Sequence, residues 1–587
     1  MASDSTLQRA LDDAQEGRIG SALASMRLLV KRKPNDFDAA QVLGMLLLQA
    51  GEVAQAIHHL GRAVAAAPNV AGYRNNYANS LLSARRPRDA AAEWRKAIEL
   101  DPTYSRAYLG LVLACAEVGD SVGAIEAGRC GLALNPDWPE LSRNLASVLK
   151  DCGRIDEALA EFSRAIAKHP LDSGLRSSFL MARNYSDAPT GDVEQAHREY
   201  AQCVRSIQPP AHTDPSPDRP LHIGILSGDM RTHSVAFFAE SFMRHRPTGC
   251  KLSVFSSGHA PAGDMMRARL ITLADEWVDA VAINNAALDR AIRSRQIDLL
   301  VELGGHTSGG RMGALDSAPA PVIITAIGYP NTTGHPAVGW RIVDSTTDVE
   351  GSDAHCTERL LRIDPCFLCY SPPSDAPEPA LPTATTAITF GSFNLAAKIT
   401  NRTMSLWAAV LGAVPDSRLL IKCKSIADPG TREFFLERLR VAGIAESRVD
   451  LLAYTAGLHE HWSMYSRVYV ALDTTPYNGT TTTCEALWMG VPVVTIAGDR
   501  HAARVGASLL DAAGHPEWVA KTPEEFVSIA AGLATDRARL ASLRAGLRGE
   551  IRASPLCDQV AYARRFHGAL RDAWRAYCVE STRGIHG

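Results

Sequence analysis

Several things are missing from this sequence, and each absence excludes a class. No uncharged apolar run approaches the ~18 residues of a membrane span, and residues 1–20, MASDSTLQRALDDAQEGRIG, hold no apolar core of the kind a signal peptide needs. No membrane partner is expected, and the expected compartment is the cytoplasm. Neither charge sign is in excess: 61 Lys and Arg face 64 Asp and Glu, a net charge of -3. That balance argues against broad nucleic-acid or membrane-surface binding and for a protein or small-molecule partner. The 12 cysteines show no pairing pattern, which suits free thiols in a reducing compartment. A single CxxC, Cys366-Phe-Leu-Cys369, has no second pair at metal-ligand spacing and reads as an apolar strand rather than a zinc or redox site.

What is present begins with a repeat. Pro34, Pro68, Pro102, Pro136 and Pro170 are spaced by 34, as are Ala22, Ala56, Ala90, Ala124 and Ala158. Gly17, Gly51, Gly119 and Gly153 mark a turn in the same frame, with Arg85 in place of glycine once. A 34-residue period with a small residue at a helix crossing and proline after the second helix is the tetratricopeptide pattern. It predicts four complete repeats over about 37–172, preceded by a partial one, stacked as an all-α superhelix with a concave face. That groove suits an extended acceptor peptide or self-association, a homodimer through the repeats.

The pattern changes after a helical segment to about 207 and the proline-rich run PPAHTDPSPDRP (209–220). Apolar strands are expected at 221–229, 252–257, 297–305, 322–330 and 341–345, most separated by helix-length segments. A second proline-rich run, 371–382, precedes a second set at 388–394, 418–424, 449–454, 468–473 and 491–496. Apolar strands alternating with helices imply parallel, doubly wound sheets, whose ligands sit at the carboxyl ends of strands. The expected domains are 1–185 (repeats), 186–220 (helical and proline-rich linker), 221–382 (first lobe) and 383–587 (second lobe with a helical tail from about 522 to 579). The length of 587 residues accommodates such a division at ~150 residues per domain.

The chemistry concentrates in 467–496, VYVALDTTPYNGTTTTCEALWMGVPVVTIA. A strand ending near Asp473, a loop through Asn478 and Gly479 and a helix starting in Thr480–Thr483 would make an anion site, since free N–H groups and the helix dipole converge there. The plainer alternative is a capping box, Thr482-x-x-Glu485. Other polar residues follow strand ends: Asp229 and His233, His306 and Thr307, Tyr329 and Pro330, Asn394 and Lys398, Lys422 and Lys424, and His461. Sugar transfer from a nucleotide donor needs these types. Lys398 and the threonine helix start would hold the leaving diphosphate, Glu485 would accept from the ribose hydroxyls, and His233, backed by Asp229, would serve the acceptor hydroxyl. The strand-end motifs contain no DxD pair or ligand cluster, so neither a metal nor a cofactor is implied.

The segments THSVAFF, GGHTSGG, APAPV, IGYPNTTG, CFLCY, FGSFN with AKIT, KCKS, RVDLL and YNGTTTTCEALWMGVPVVT resemble the SPINDLY branch of the O-linked GlcNAc transferase superfamily. The resemblance covers essentially the whole chain. It implies an α/β GT-B transferase with two Rossmann-like lobes behind the repeats, inverting and metal-independent, adding one sugar to Ser or Thr of intracellular proteins selected by the repeats. It further implies that His233 is the first-lobe cleft histidine, Lys398 the lysine on the leaving phosphate, His461 a residue near the base, Thr481 and Thr482 the diphosphate cradle and Glu485 the ribose carboxylate. Asn394 and Thr480 join the donor side; His306, Thr307, Tyr329 and Pro330 are assigned to the acceptor side. The GlcNAc branch has His-Thr-Thr and aspartate where this chain has Thr480–Thr482 and Glu485, a basic residue at Met464 and glutamine at Leu395. Those departures favour GDP-fucose over UDP-GlcNAc as donor. The alternatives are another nucleotide sugar used on a surface protein such as flagellin, and a repeat-based interaction protein with vestigial lobes.

Overall fold

The structure, a computed structural model, describes residues 2–204, 214–373, 375–380, 387–453, 455 and 457–584. The proline-rich run 209–220 lies outside the described residues as far as 213, and the run 371–382 does so at 374, 381 and 382; Tyr454, in the strand expected at 449–454, is also outside. Two compact units are present: 1–152 with 160–168 and 428–431, and the remainder.

The first unit is built from helix pairs: Ala2–Gln15 with Ile19–Arg32, Phe37–Gln49 with Val53–Ala66, Ala71–Ser83 with Pro87–Leu100, and Ser105–Val118 with Ser121–Leu134. Pro139–Asp151 and Ile155–Lys168 form the next pair in sequence. The segment before residue 37 is therefore a complete helix pair rather than a partial repeat, because residues 2–15 supply the missing first helix. The repeating alanines are fully buried, so each marks a crossing where no larger side chain fits. The glycine frame is a backbone requirement: Gly17, Gly51, Gly119 and Gly153 turn at φ between +76° and +81°, and Arg85 is held in the same left-handed region at +59°. Gly110 is a packing requirement. A Cβ there would meet the Trp94 ring at 2.2 Å, and that indole donates to Asn75 Oδ1 at 3.0 Å.

In the second unit β1 (His222–Ser227), β2 (Lys251–Ser256), β3 (Glu276–Asp279), β4 (Leu299–Glu302), β5 (Val322–Thr325), β6 (Trp340–Val343) and β7 (Arg359–Arg362) form one sheet in the order β3-β2-β1-β4-β5-β6-β7. β8 (Thr389–Ser392), β9 (Arg418–Lys422), β10 (Val449–Leu452), β11 (Val470–Leu472), β12 (Val493–Ile496) and β13 (Val519–Ala520) form the other, ordered β10-β9-β8-β11-β12-β13. Every pairing is parallel. The ten expected strands are present, shorter than their apolar runs, and β3, β7 and β13 are additions. Chain order reverses at β1/β4 in one sheet and at β8/β11 in the other. In open α/β sheets these switch points are where strand ends splay and leave a crevice.

The Cys366–Cys369 segment is not a strand. It is a buried, irregular connection whose N–H groups go to scattered acceptors instead of a ladder: Phe367 N donates to Asp344 Oδ2 (2.9 Å), Tyr370 N to Leu556 O (2.8 Å) and Ser371 N to Phe237 O (3.0 Å). Its apolar side chains are buried among both lobes, which produces the same continuous hydrophobic run as a core strand. The helical tail comprises Pro523–Thr535, Arg537–Ala553 and Gln559–Gly584. The last of these crosses back to the first lobe: Phe566 stacks on Phe242 at 4.2 Å, and His567 Nε2 donates to Phe242 O at 2.8 Å.

Candidate active site

The second-lobe switch point is assembled by two loops, 393–398 after β8 and 473–480 after β11. Asp473, buried at the end of β11, accepts from Thr474 N (2.8 Å), Gly479 N (2.6 Å) and Thr495 Oγ1 (2.7 Å). Burial still pushes its carboxyl up to about 6. Asn478, with no exposed surface, donates to Ala502 O and Thr474 O and accepts from Gly506 N. Together they fix the backbone that presents residues 478–481. Lys398 Nζ donates to Asn478 O at 2.7 Å and lies 4.1 Å from the centre of the Tyr477 ring. Burial pushes this lysine down to about 8, against the pull of Asp473. Tyr185 stacks on the far side of the arrangement, 5.0 Å from Tyr477 with the rings 17° from parallel.

The helix Thr481–Trp488 begins here, and it has no capping box. Thr480 at the N-cap makes no side-chain cap bond. Thr482 donates to Asn394 Oδ1 (3.2 Å), Thr483 to Gly479 O (3.2 Å), and the Thr481 hydroxyl is buried without any partner. A buried hydroxyl at a helix start with nothing to bond is a group reserved for a ligand or paid for as strain; beside free N–H groups and a lysine, it suits an anion. Glu485, one turn on, accepts from His461 Nε2 (2.9 Å) and Tyr465 OH (3.2 Å) through its Oε2. His461 Nδ1 in turn meets Lys422 Nζ at 2.6 Å. Lys424, next along, is exposed and stands apart from this chain.

At the first-lobe switch point, His233 caps the helix Ser234–Arg244. Its Nδ1 is 3.4 Å from Asp229 Oδ1 and accepts from Val235 N at 3.4 Å; Arg231 lies 3.6 Å from Asp229. Burial dominates both partners, lowering the imidazole's affinity for a proton and raising the carboxyl's. The His233 side chain is 38% exposed and Asp229 8%. Nearby, Glu302 at the end of β4 is fully buried, accepts from Gly304 N and Gly305 N, and is pushed up to about 7 by that burial.

The other first-lobe candidates occupy a saturated network. His306 Nε2 donates to Thr333 O (2.7 Å) while Nδ1 accepts from Ser177 Oγ (2.9 Å), and burial pushes it down to about 3. Tyr329 OH meets His197 Nε2 (2.6 Å) and Asn184 Nδ2 (2.9 Å). Thr307 donates to Gly304 O (2.6 Å), and Pro330 is buried beside Tyr329. These bonds tie the helices Ser173–Arg183 and Thr190–Tyr200 onto the first lobe. The sequence reading missed those helix partners, the Tyr477 platform and the Lys422 contact. Only the last had a visible signal, a lysine at a strand's carboxyl end.

Among the described residues no group of three or more His, Cys, Asp and Glu side chains is placed to hold a metal ion, and no helix is long and apolar enough to cross a membrane.

Comparison with known proteins agrees with this architecture. Residues 203–369 and 379–566 match Glycosyl transferase family 41, and 7–71 and 77–139 match the tetratricopeptide repeat. The chain is 41% identical over 409 residues to a barley (Hordeum vulgare) protein named probable UDP-N-acetylglucosamine--peptide N-acetylglucosaminyltransferase SPINDLY, covering 68% of this chain and 43% of that one. The Arabidopsis thaliana protein of that name is 40% identical over 411 residues, 68% of this chain and 45% of the relative. The chain thus spans less than half the length of these curated relatives. A mutant O-GlcNAc transferase of Thermobaculum terrenum superposes with a TM-score of 0.81 at 31% identity, over 87% of this chain and 98% of that one. The match over 203–369 and 379–566, in a chain of repeats followed by two parallel-sheet lobes, places this chain in glycosyltransferase family 41.

Proposed function

We propose that the chain is a protein O-glycosyltransferase that moves one sugar from a nucleoside diphosphate donor to a Ser or Thr hydroxyl of a protein held by the repeats. The observation that carries this reading is the convergence of Lys398, the free helix start and the unpartnered Thr481 hydroxyl at the second-lobe switch point. In the transition state the leaving diphosphate gains charge, and a buried ammonium beside N–H donors stabilises that charge where water would screen it. Glu485, held through Oε2, keeps Oε1 for the ribose hydroxyls. On the other lobe, His233 Nδ1 stands 3.4 Å from both Val235 N and Asp229 Oδ1; the tautomer that turns an Nδ1–H to Asp229 in place of the Val235 contact frees Nε2 to accept the acceptor proton. Attack from the side opposite the diphosphate gives inversion, and Lys398 supplies the positive charge with no need of a metal.

GDP-fucose is the favoured donor and UDP-GlcNAc the competitor. Thr480 and Glu485, where the resemblance puts histidine and aspartate in the GlcNAc branch, support the first; the printed names of the curated relatives support the second. A thermal-shift panel of GDP-fucose, GDP, UDP-GlcNAc and UDP discriminates them, since a ligand at 100 times its Kd stabilises by about 2.7 kcal/mol. GDP and GDP-fucose are expected to give the larger shifts, and labelled fucose should appear on Ser or Thr of lysate proteins in the presence of EDTA. A larger shift with the uridine pair reverses the donor order. No shift with any nucleotide refutes the transferase reading.

A further inference from the structure

One side chain at the donor site has no part in the reaction as described so far. Lys422 sits at the carboxyl end of β9, buried to 8% exposure, with its Nζ 2.6 Å from His461 Nδ1. The nearest ring is Phe393, at 5.8 Å from Nζ to the centroid. An ammonium can only donate. Its proton therefore points at Nδ1, which forces the imidazole into the tautomer that carries hydrogen on Nε2. That hydrogen goes to Glu485 Oε2 at 2.9 Å, and Tyr465 OH reaches the same oxygen at 3.2 Å. Four separate elements, β9, the helix Leu458–Ser463, the turn Met464–Arg467 and the helix Thr481–Trp488, thus converge on one carboxylate.

We infer that Lys422 is a positioning residue for the donor: by donating to His461 Nδ1 it fixes the imidazole in one tautomer and one orientation, and so holds the Glu485 carboxylate in place as an acceptor for the nucleotide's ribose. This rests on reading the second-lobe switch point as a nucleotide site. The charged and titratable groups around His461 are Lys422 from β9, Glu485 from its helix, Tyr465 from the turn, and Glu460 next to it on its own helix; Glu460 and Glu485 are also the acids that act on Lys422. With the ammonium in place, a second proton on His461 would set two cations 2.6 Å apart. Without it, Nδ1 is free to take a proton, and the resulting imidazolium would pair with Glu485 and occupy the charge that the ribose needs. The consequence is a donor site in which the orientation of the ribose acceptor depends on a lysine that never touches the nucleotide.

The test uses the full chain with Lys422→Met and Lys422→Arg, and GDP and UDP as probes. Calorimetry at about pH 6 and about pH 8 brackets the imidazole range. The wild-type affinity at each pH is the reference, because Lys398, whose titration burial brings down to about 8, and the terminal phosphate of the nucleotide both change charge across this range. Relative to the wild type, Lys422→Met should bind about tenfold more weakly at the lower pH, the scale of a lost charged hydrogen bond, and recover most of that at the higher one; Lys422→Arg should follow the wild-type profile. In transfer assays the Lys422→Met loss should fall on the donor KM and leave kcat nearly unchanged. A Lys422→Met variant with wild-type affinity at both pH values, or a loss in kcat alone, overturns the proposal. Imidazole nitrogen NMR of the unliganded chain supplies an arm independent of ligand: hydrogen on Nε2 of His461 in the wild type supports the inference, and hydrogen on Nδ1 overturns it. If neither nucleotide binds the wild type, the reading of the site has failed instead, and the NMR arm still decides whether Lys422 controls the tautomer.

Discussion

The two switch points are built on the same plan and left in opposite states. In the second lobe, Asp473 and Asn478 spend their hydrogen bonds on shaping the loop, which leaves the Thr481 hydroxyl on its rim without a partner, beside the Lys398 and Glu485 proposed to meet the donor. In the first lobe, the polar residues after β4 and β5 spend theirs on one another and on the helices Ser173–Arg183 and Thr190–Tyr200, and only the Asp229–His233 pair after β1 stays half open. The difference teaches that polar residues at strand ends are not equivalent. A ligand site is marked by what its hydrogen-bond network leaves unsatisfied, not by how many polar groups it collects.

That contrast can be broken most severely at Lys398. Lys398→Ala should lower kcat by at least about a hundredfold, the scale of losing one preorganised transition-state donor, while circular dichroism reports an intact fold. In the wild type the charged form is the active one and burial places its titration at about 8. The alkaline limb of transfer should therefore fall as the pH rises through about 8, which a pH–rate profile checks. His233→Ala and Asp229→Asn should each lower kcat by about a hundredfold, the lower end of the range for general-base catalysis. Neither should alter the thermal shift with GDP, because the pair belongs to the other switch point; a loss of nucleotide binding would break the comparison.

The sharpest pair of tests is smaller. Thr481→Val removes a hydroxyl that has no partner, so stability should hold or rise by up to about 1 kcal/mol, while affinity for the nucleoside diphosphate falls by about tenfold. Tyr329→Phe removes a hydroxyl bonded to His197 and Asn184. It should cost about 1–3 kcal/mol in denaturant unfolding, because buried partners are left unpaired, with nucleotide affinity unchanged. If the two variants behave alike, the division between reserved and structural polar groups is wrong. Smallest is Arg85→Gly, which relieves a left-handed backbone at φ +59° and should stabilise the repeat unit by about 1 kcal/mol, readable as a rise in its melting temperature without any change in transfer.

The legible parts of the chain are those where one periodicity dominates. A strict 34-residue spacing reports helix pairs directly, because every repeat must meet the same neighbours. Ten strands, all but the edge strand β10 interior to their sheets, reveal themselves as apolar runs. β3 (Glu276–Asp279) and β7 (Arg359–Arg362) are sheet edges with charged residues, and β13 has only two residues, so none carries a hydrophobic signal. Cys366–Cys369 gives the reverse error, since burial on all sides imitates a strand. At the site, Asn394, Thr482, Glu485 and His461 come together as the motifs suggest. The partners of Tyr329 and His306 were out of reach: Ser177, Asn184 and His197 lie more than a hundred residues away, and no local pattern connects them.

The bonds from Ser177, Asn184, Tyr185 and His197 to the lobes have a consequence for how this protein can be recombined. Residues 169–204 follow the repeats in sequence, yet they belong to the same compact unit as the two sheets. Tyr185 stacks against the ring that lies under Lys398, and Arg500 donates to the carbonyls of Asn184 and Ser186. An exchange of repeat arrays among relatives is therefore modular only if the joint falls before this segment. A joint placed after it, at the proline-rich run, would carry away the supports of Tyr329, His306 and Tyr477 along with the array, so a chimera meant to change only the protein acceptor would also disturb the proposed donor site.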